Sequence, residues 1–130
     1  MKELVAMWYN RLPPHERSKP VLSLDGKLYT PDDIYREVMA GTPLGERLQR
    51  MLEAIRVSTP LATLVQQFWS VGKARALAWV ESLPENFSIV TISGEVIDKK
   101  RLRQLIESEQ GFGRAAIESE AMAAISLLKM

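Results

Sequence analysis

Cysteine is absent from this chain of 130 residues, and histidine occurs once, at position 15. The lack of cysteine excludes disulfide bonds and cysteine-based zinc sites. A metal site needs several converging ligands, and no metal-ligand spacing surrounds His15. We therefore expect no metal centre and no cofactor, and we interpret His15 as a solvated loop residue.

Neither sign of charge is in excess, because 17 basic residues oppose 16 acidic ones. Strong attraction to nucleic acid or to an anionic membrane normally requires a basic excess. No run of about 18 apolar residues is present, so we expect no transmembrane helix and no membrane partner. Residues 1–5 lack the apolar core of a secretion signal, from which we expect a cytoplasmic protein.

Signatures of phosphate binding and of small-molecule catalysis are also missing. The glycine pairs at 41–45 and 111–113 lack the Lys-Ser/Thr of a P-loop and do not follow a strand in a dinucleotide-binding pattern. Asp32 and Asp33 point in different directions around a helix, so their carboxylates converge poorly. We expect a non-enzymatic protein without a small-molecule substrate.

What the sequence does contain begins with two β-hairpins. Residues 21–24 and 27–30 flank Asp25-Gly26, a pair that favours a two-residue type I′ turn. This turn pairs Leu22 with Tyr29 and places both on the core face. Two further short runs, 89–92 and 95–97, flank Ser93-Gly94 and predict the second hairpin.

Helical periodicity covers most of the remaining chain. Thr30 and Asp98 are predicted N-caps of the helices that follow the hairpins, and Pro43 opens another helix. Gly72 is expected to break or bend a helical run, and Trp8, Trp69 and Trp79 are expected in the core because they lie on apolar stripes. The other predicted helices span residues 2–12, 60–71, 73–83 and 113–129.

The order helix, proline, hairpin, helix, glycine, helix occurs twice along the chain. A shift of about 68 residues superposes Gly26 on Gly94, Gly45 on Gly113 and the cap Thr30 on Asp98, and a shift of about 71 superposes Trp8 on Trp79. Hydrophobic pattern alone would also align any two hairpin–helix units, and identities are few.

The predicted fold class is therefore α+β, with two β-hairpins and a mostly α-helical remainder. We expect one compact domain over residues 1–130, built by tandem duplication of a helix–hairpin–helix–helix unit with pseudo-twofold symmetry. The expected repeats are 1–58 and 73–130, joined by a helix at 60–71. Whether the two hairpins share one sheet stays open at this point.

One helix breaks a local rule. Lys99, Lys100, Arg101 and Arg103 lie in its first turns, where positive charge opposes the helix dipole. A broken local rule without visible compensation is a reason to suspect function. This patch could contact nucleic-acid phosphate or an acidic protein surface.

Apolar helix stripes and hairpin faces exceed what one small domain needs. We therefore expect a protein–protein interaction module, such as an adaptor, scaffold or accessory subunit, that binds a protein partner and self-associates as a homo-oligomer. Leu28, Val96, Tyr9 and Tyr35 are the candidate interface residues, and the alanine-rich last helix could form a dimer seam. The alternative is a nucleic-acid-binding accessory protein that uses the basic helix at 99–103.

Overall fold

A computed structural model of the chain describes residues 2–57 and 61–130. These ranges form α-helices and two separate antiparallel hairpins, so the predicted α+β class is confirmed. The helices α1–α7 span Lys2–Arg11, Pro31–Ala40, Pro43–Val57, Leu61–Gln67, Trp69–Glu81, Lys99–Glu107 and Gly111–Leu128, and the strands β1–β4 span Leu22–Leu24, Lys27–Tyr29, Ser88–Val90 and Val96–Asp98.

Hairpin 1, formed by β1 and β2, has the predicted turn and register. Asp25 and Gly26 have φ angles of 52° and 78°, as a type I′ turn requires. Leu22 pairs with Tyr29, and both side chains are buried. Thr30 then caps α2 in a reciprocal capping box with Asp33, so the hairpin leads directly into the helix.

Hairpin 2, formed by β3 and β4, has a register that differs from the predicted one. Ile89 pairs with Ile97, and a backbone hydrogen bond from Thr91 to Glu95 closes a three-residue loop at its tip. Hairpin 1 has a two-residue loop, so the structural counterpart of Leu22 is Ile89 and not Val90. Because a one-residue slip moves every side chain to the opposite face, Val90 faces outward.

Two helix predictions are wrong. Gly72 does not break a helix but lies inside α5, where an added Cβ would come within 2.4 Å of the Ile117 carbonyl oxygen of α7. Glycine at this position lets α5 and α7 cross closely. The predicted helix at 60–71 ends instead at Gln67, and α5 begins at Trp69. Residues 58–60, which include its predicted start, lie outside the described ranges.

The helix pairs α2–α3 and α6–α7 have the same local geometry at positions 68 residues apart. A Cβ on Gly45 would come within 2.2 Å of the Glu37 carbonyl oxygen, and a Cβ on Gly113 would come equally close to that of Leu105. The Lys2 ammonium group of α1 donates to the Met39 carbonyl at 3.3 Å. At the corresponding place, the Lys73 ammonium group of α5 donates to the Glu107 carbonyl at 3.1 Å.

Two clusters of buried side chains form the core. The larger cluster contains residues of α1, hairpin 1, α2, α3 and α4, together with one end of α5 and the C-terminal half of α7. The smaller cluster contains the rest of α5, strand β4, α6 and Ile117 of α7. Helices α5 and α7 therefore contribute to both clusters and connect the two halves of the chain.

Candidate functional site

Lys99, the first residue of the predicted basic patch, is only 7% exposed. Its ammonium group donates to the carbonyl oxygens of Glu81 and Leu83, at 3.4 and 2.9 Å, and lies 3.0 Å from a Glu85 carboxylate oxygen. These carbonyls belong to the C-terminal end of α5 and the residues after it, where a positive charge is favourable. The residue that opposes the dipole of α6 thus stabilises the end of α5, and Lys99 is not a free surface cation.

The other three cations are divided between structure and solvent. The Arg103 guanidinium lies 2.7 Å from a carboxylate oxygen of Glu81, so it also faces α5. Lys100 and Arg101 are exposed, and their side chains have no ion pair within residues 2–57 and 61–130. Two free cations are fewer than the six to ten phosphate contacts of a typical DNA-binding protein.

Tyr9 and Tyr35 stack on each other, with ring centroids 4.5 Å apart. Both are half-buried, and Tyr9 packs against the larger core cluster. The Tyr9 hydroxyl donates to Asp32, and this hydrogen bond raises the pKa of Tyr9. The Arg17 guanidinium covers the Tyr9 ring at 4.7 Å. These two tyrosines join α1 to α2, so the structure gives them an internal role.

Leu28 and Val96 occupy equivalent positions in the two hairpins but differ in exposure. Leu28 is half-buried and packs against the larger core cluster. Val96 is 62% exposed, and its cross-strand partner Val90 is 68% exposed. Ile92 at the loop tip is fully exposed. These three residues, Val90, Ile92 and Val96, form the hairpin-2 surface, an aliphatic face that no described part of the chain covers.

A shallow groove runs between α5 and α7. One cavity of about 290 Å³ is lined by the exposed rings of Trp79 and Phe112 and by small residues of α7, including Ala115 and Ser119. The expectation that Trp79 lies in the core is therefore wrong, whereas Trp8 is fully buried as expected. The exposed alanine face of α7 would let another helix approach closely.

A buried arginine lies beside this groove. Arg75 is 4% exposed, and its guanidinium donates to Glu16 at 2.9 Å and to the Pro20 carbonyl at 3.1 Å. Its Nε lies 3.3 Å from Glu120 but in poor hydrogen-bond geometry. Burial would raise the pKa of Glu16, but the hydrogen bond and charge of Arg75 outweigh it and hold the pKa below its usual range.

A further apolar surface lies on α1 and at the end of α3. Leu4 and Met7 are each half exposed on α1, and Val57 at the end of α3 is exposed. Leu4 and Val57 line the same cavity, of about 200 Å³, together with Arg56. We call Leu4, Met7 and Val57 the α1 surface.

Sequence reasoning missed the α1 surface, Ile92, Trp79 and Arg75. A leucine or tryptophan on an amphipathic stripe gives no sign that the neighbouring element is absent. Arg75 could have been suspected, because it is a charged residue between the apolar residues Val71, Ala76 and Val80 of a helix that is apolar on several sides.

Two classes of site have no support in the described part of the chain. No group of three or more His, Asp or Glu residues is arranged there to hold a metal ion. None of the described helices is long and apolar enough to cross a membrane.

Comparisons of the chain with protein-family models, with curated proteins and with solved structures find no match. Any function must therefore be argued from its own residues.

Proposed function

We propose that this protein is a non-enzymatic protein–protein interaction module that self-associates. The observation that carries the proposal is the hairpin-2 surface, where Val90, Ile92 and Val96 form an uncovered aliphatic face. A two-stranded hairpin is marginally stable in water and normally needs a neighbour on its apolar faces. Exposed apolar surface of this kind typically marks a site of protein interaction.

The α5–α7 groove and the α1 surface add to this support. Each contains exposed large apolar side chains beside a cavity, with Trp79 and Phe112 in one and Leu4 in the other. Aromatic residues are frequent in the centres of protein interfaces. The sites have few polar groups that converge on one point, which is more typical of a protein partner than of a small-molecule substrate.

Tandem duplication of one helix–hairpin–helix–helix unit is part of the proposal. Its support is the agreement of backbone geometry at the shift of about 68 residues. Gly41 and Glu109 both end a helix with positive φ, at 71° and 57°, and Thr30 and Asp98 both cap the third residue of the next helix. Glu109 is not glycine, so this backbone conformation reflects the shared architecture more than local preference.

Nucleic-acid binding by the helix at 99–103 is the weaker alternative. Lys99 and Arg103 are engaged with α5, so only Lys100 and Arg101 remain for a phosphate backbone. We expect no salt-sensitive binding of DNA or RNA in a fluorescence anisotropy titration at low salt. Binding that weakens steeply with salt and is lost in Lys100→Ala/Arg101→Ala would favour the alternative.

Sedimentation velocity over a wide range of protein concentration tests self-association. The wild-type protein should sediment as species larger than a monomer and dissociate on dilution. Val96→Asp should shift this equilibrium toward the monomer, because it places a charge in an apolar contact. Ser18→Asp, which adds the same charge at an exposed loop position, should have no effect. A wild-type protein that stays monomeric at its highest soluble concentration would contradict self-association.

A further inference from the structure

The two halves of the chain contact each other through surfaces that are not equivalent. Arg75 of α5 binds the start of hairpin 1 through the Pro20 carbonyl, and α5 contacts strand β1. At the end of α7, the Leu127 carbonyl accepts a hydrogen bond of 2.8 Å from the Trp8 indole of α1. The second half therefore covers hairpin 1 and α1 of the first half.

The surfaces that the second half uses for this contact have counterparts in the first half. Under the shift of about 71 residues, Arg75 of α5 corresponds to Leu4 of α1, and Ala78 corresponds to Met7. Ile125 of α7 is fully buried in the larger core cluster. Under the shift of about 68 residues, Ile125 corresponds to Val57 of α3. Leu4 thus takes the position of Arg75, which binds hairpin 1, and Val57 takes that of Ile125, which is buried in the larger core cluster. Met7 takes the position of Ala78, which is exposed beside them.

Two side chains of the first half pack in or against the larger core cluster, to which α5 and α7 contribute, and have counterparts that are exposed. Trp8 is fully buried, whereas Trp79 is 39% exposed. Leu28 of hairpin 1 is half-buried, whereas Val96 of hairpin 2 is exposed. The molecule therefore presents one unpaired copy of each side of its own internal contact.

From this arrangement we propose that the protein assembles head to tail, with the α1 surface of one copy packing on the hairpin-2 surface of the next. This inference rests on the proposed self-association and names its geometry. The contact would repeat between molecules the contact that already joins the two halves within one molecule. It replaces the pseudo-twofold relation expected from the sequence, because a twofold would leave equivalent surfaces equally covered in both halves.

The composition of the two surfaces suits this pairing. Phe87 takes the position of Pro20 in hairpin 2, and Leu4 takes that of Arg75. The hydrogen bond from Arg75 to the Pro20 carbonyl would therefore be replaced by a contact between Leu4 and Phe87. Both of these side chains are apolar.

Head-to-tail contacts have a consequence that symmetric ones lack. Each molecule keeps one free surface of each kind after pairing, so assembly continues until a ring closes or a filament forms. A symmetric dimer would instead use the same surface on both copies and stop at two.

Complementation between two variants tests the proposal. Met7→Glu damages the α1 surface, and Val96→Asp damages the hairpin-2 surface, so the two damaged surfaces carry like charges and repel each other. Each variant alone should be monomeric, with association at least tenfold weaker than in the wild type. An equimolar mixture should form a one-to-one heterodimer that cannot extend, because one undamaged surface of each kind remains. Native mass spectrometry with one variant isotopically labelled identifies this species by mass.

The outcomes separate this inference from the proposed function. If the wild type associates but the mixture stays monomeric, the head-to-tail geometry is wrong and self-association stands. If the wild type never associates, the proposed self-association fails as well. Circular dichroism checks that the variants are folded, and the milder pair Leu4→Gln and Val96→Thr gives a second test if either charged variant unfolds.

Discussion

The two hairpins follow the same helix-capping scheme but differ in what covers them. Hairpin 1 has a two-residue Asp-Gly loop and lies on the larger core cluster, where Leu22 and Tyr29 are buried. Hairpin 2 buries Ile97 in the smaller core cluster, and one more residue in its loop places the aliphatic Val90 opposite Val96 on the outer face, where hairpin 1 has Ser23 opposite Leu28. The inserted residue therefore gives hairpin 2 a second aliphatic side chain on its outer face, while its other face packs in a core cluster as in hairpin 1.

The two equivalent tryptophans, Trp8 and Trp79, are expected to differ most in how much their substitution lowers the free energy of unfolding. Trp8→Ala should lower the free energy of unfolding by about 3–5 kcal/mol, because it empties a fully buried site. It also leaves the Leu127 carbonyl without its indole donor. Trp79→Ala should cost about 1 kcal/mol or less, since its ring is partly in solvent. Urea denaturation at low protein concentration measures both, and equal losses would contradict the asymmetry.

Replacing the glycine at the helix crossing should destabilise the protein by the same amount in each half. Gly45→Ala and Gly113→Ala each place a methyl group 2.2 Å from a backbone oxygen, so each should destabilise by about 3 kcal/mol. Gly94→Ala serves as the comparison, because nothing lies within 4 Å of its Cβ position and the cost is limited to the positive φ. Thermal unfolding of all three checks this, and a small effect at only one of the two crossings would mean that the halves are not equivalent there.

The contact between the halves should depend on pH through Glu16. Arg75→Met should destabilise by about 2 kcal/mol, because the partly buried Glu16 carboxylate loses its nearest cation and keeps only the more distant, exposed Lys19. The pKa of Glu16 is lowered in the folded state, so its contribution is present above its unfolded pKa. That contribution is lost as the pH falls through the lowered value. Between neutral and acidic pH, the free energy of unfolding should therefore fall less in Glu16→Gln than in the wild type. Denaturation measured at each pH checks this, and an equal fall in both proteins would refute this role of Glu16.

The smallest effect is expected in the basic helix. Lys99→Met should lose about 1 kcal/mol, because the carbonyl oxygens at the end of α5 lose a charged donor. Lys100→Met, one residue further along, should stay within about 0.5 kcal/mol of the wild type, since its side chain is in solvent. Equal losses measured by chemical denaturation would show that Lys99 acts as a surface cation after all.

Local signals predicted the parts of the fold that depend on nearest neighbours. The Asp25-Gly26 turn, the Thr30 cap and the Asp98 cap were predicted from residue type, and the structure has all three. Each depends on backbone preferences and hydrogen bonds within a few residues, so the sequence contains the whole interaction.

Features that depend on a distant element were not predictable in this way. The sequence alone predicts that Gly72 breaks or bends a helix, because the packing of α7 against it is a tertiary contact. The sequence likewise predicts that Lys99 is a free cation, because its hydrogen bonds to the end of α5 are also tertiary. Of the residues predicted for an interface, Val96 is exposed, whereas Tyr9 and Tyr35 pack on each other. Leu4, Met7 and Ile92 were missed because periodicity identifies an apolar residue but does not show whether anything covers it.

The sequence by itself determined the α+β class, the caps and the turn of hairpin 1, because these depend on φ preferences and hydrogen bonds between close neighbours. Only the tertiary structure decided which of two similar halves is covered and which is left open. Burial depends on the placement of elements far apart in the chain. Leu28 packs against the larger core cluster, whereas no described element covers its counterpart Val96.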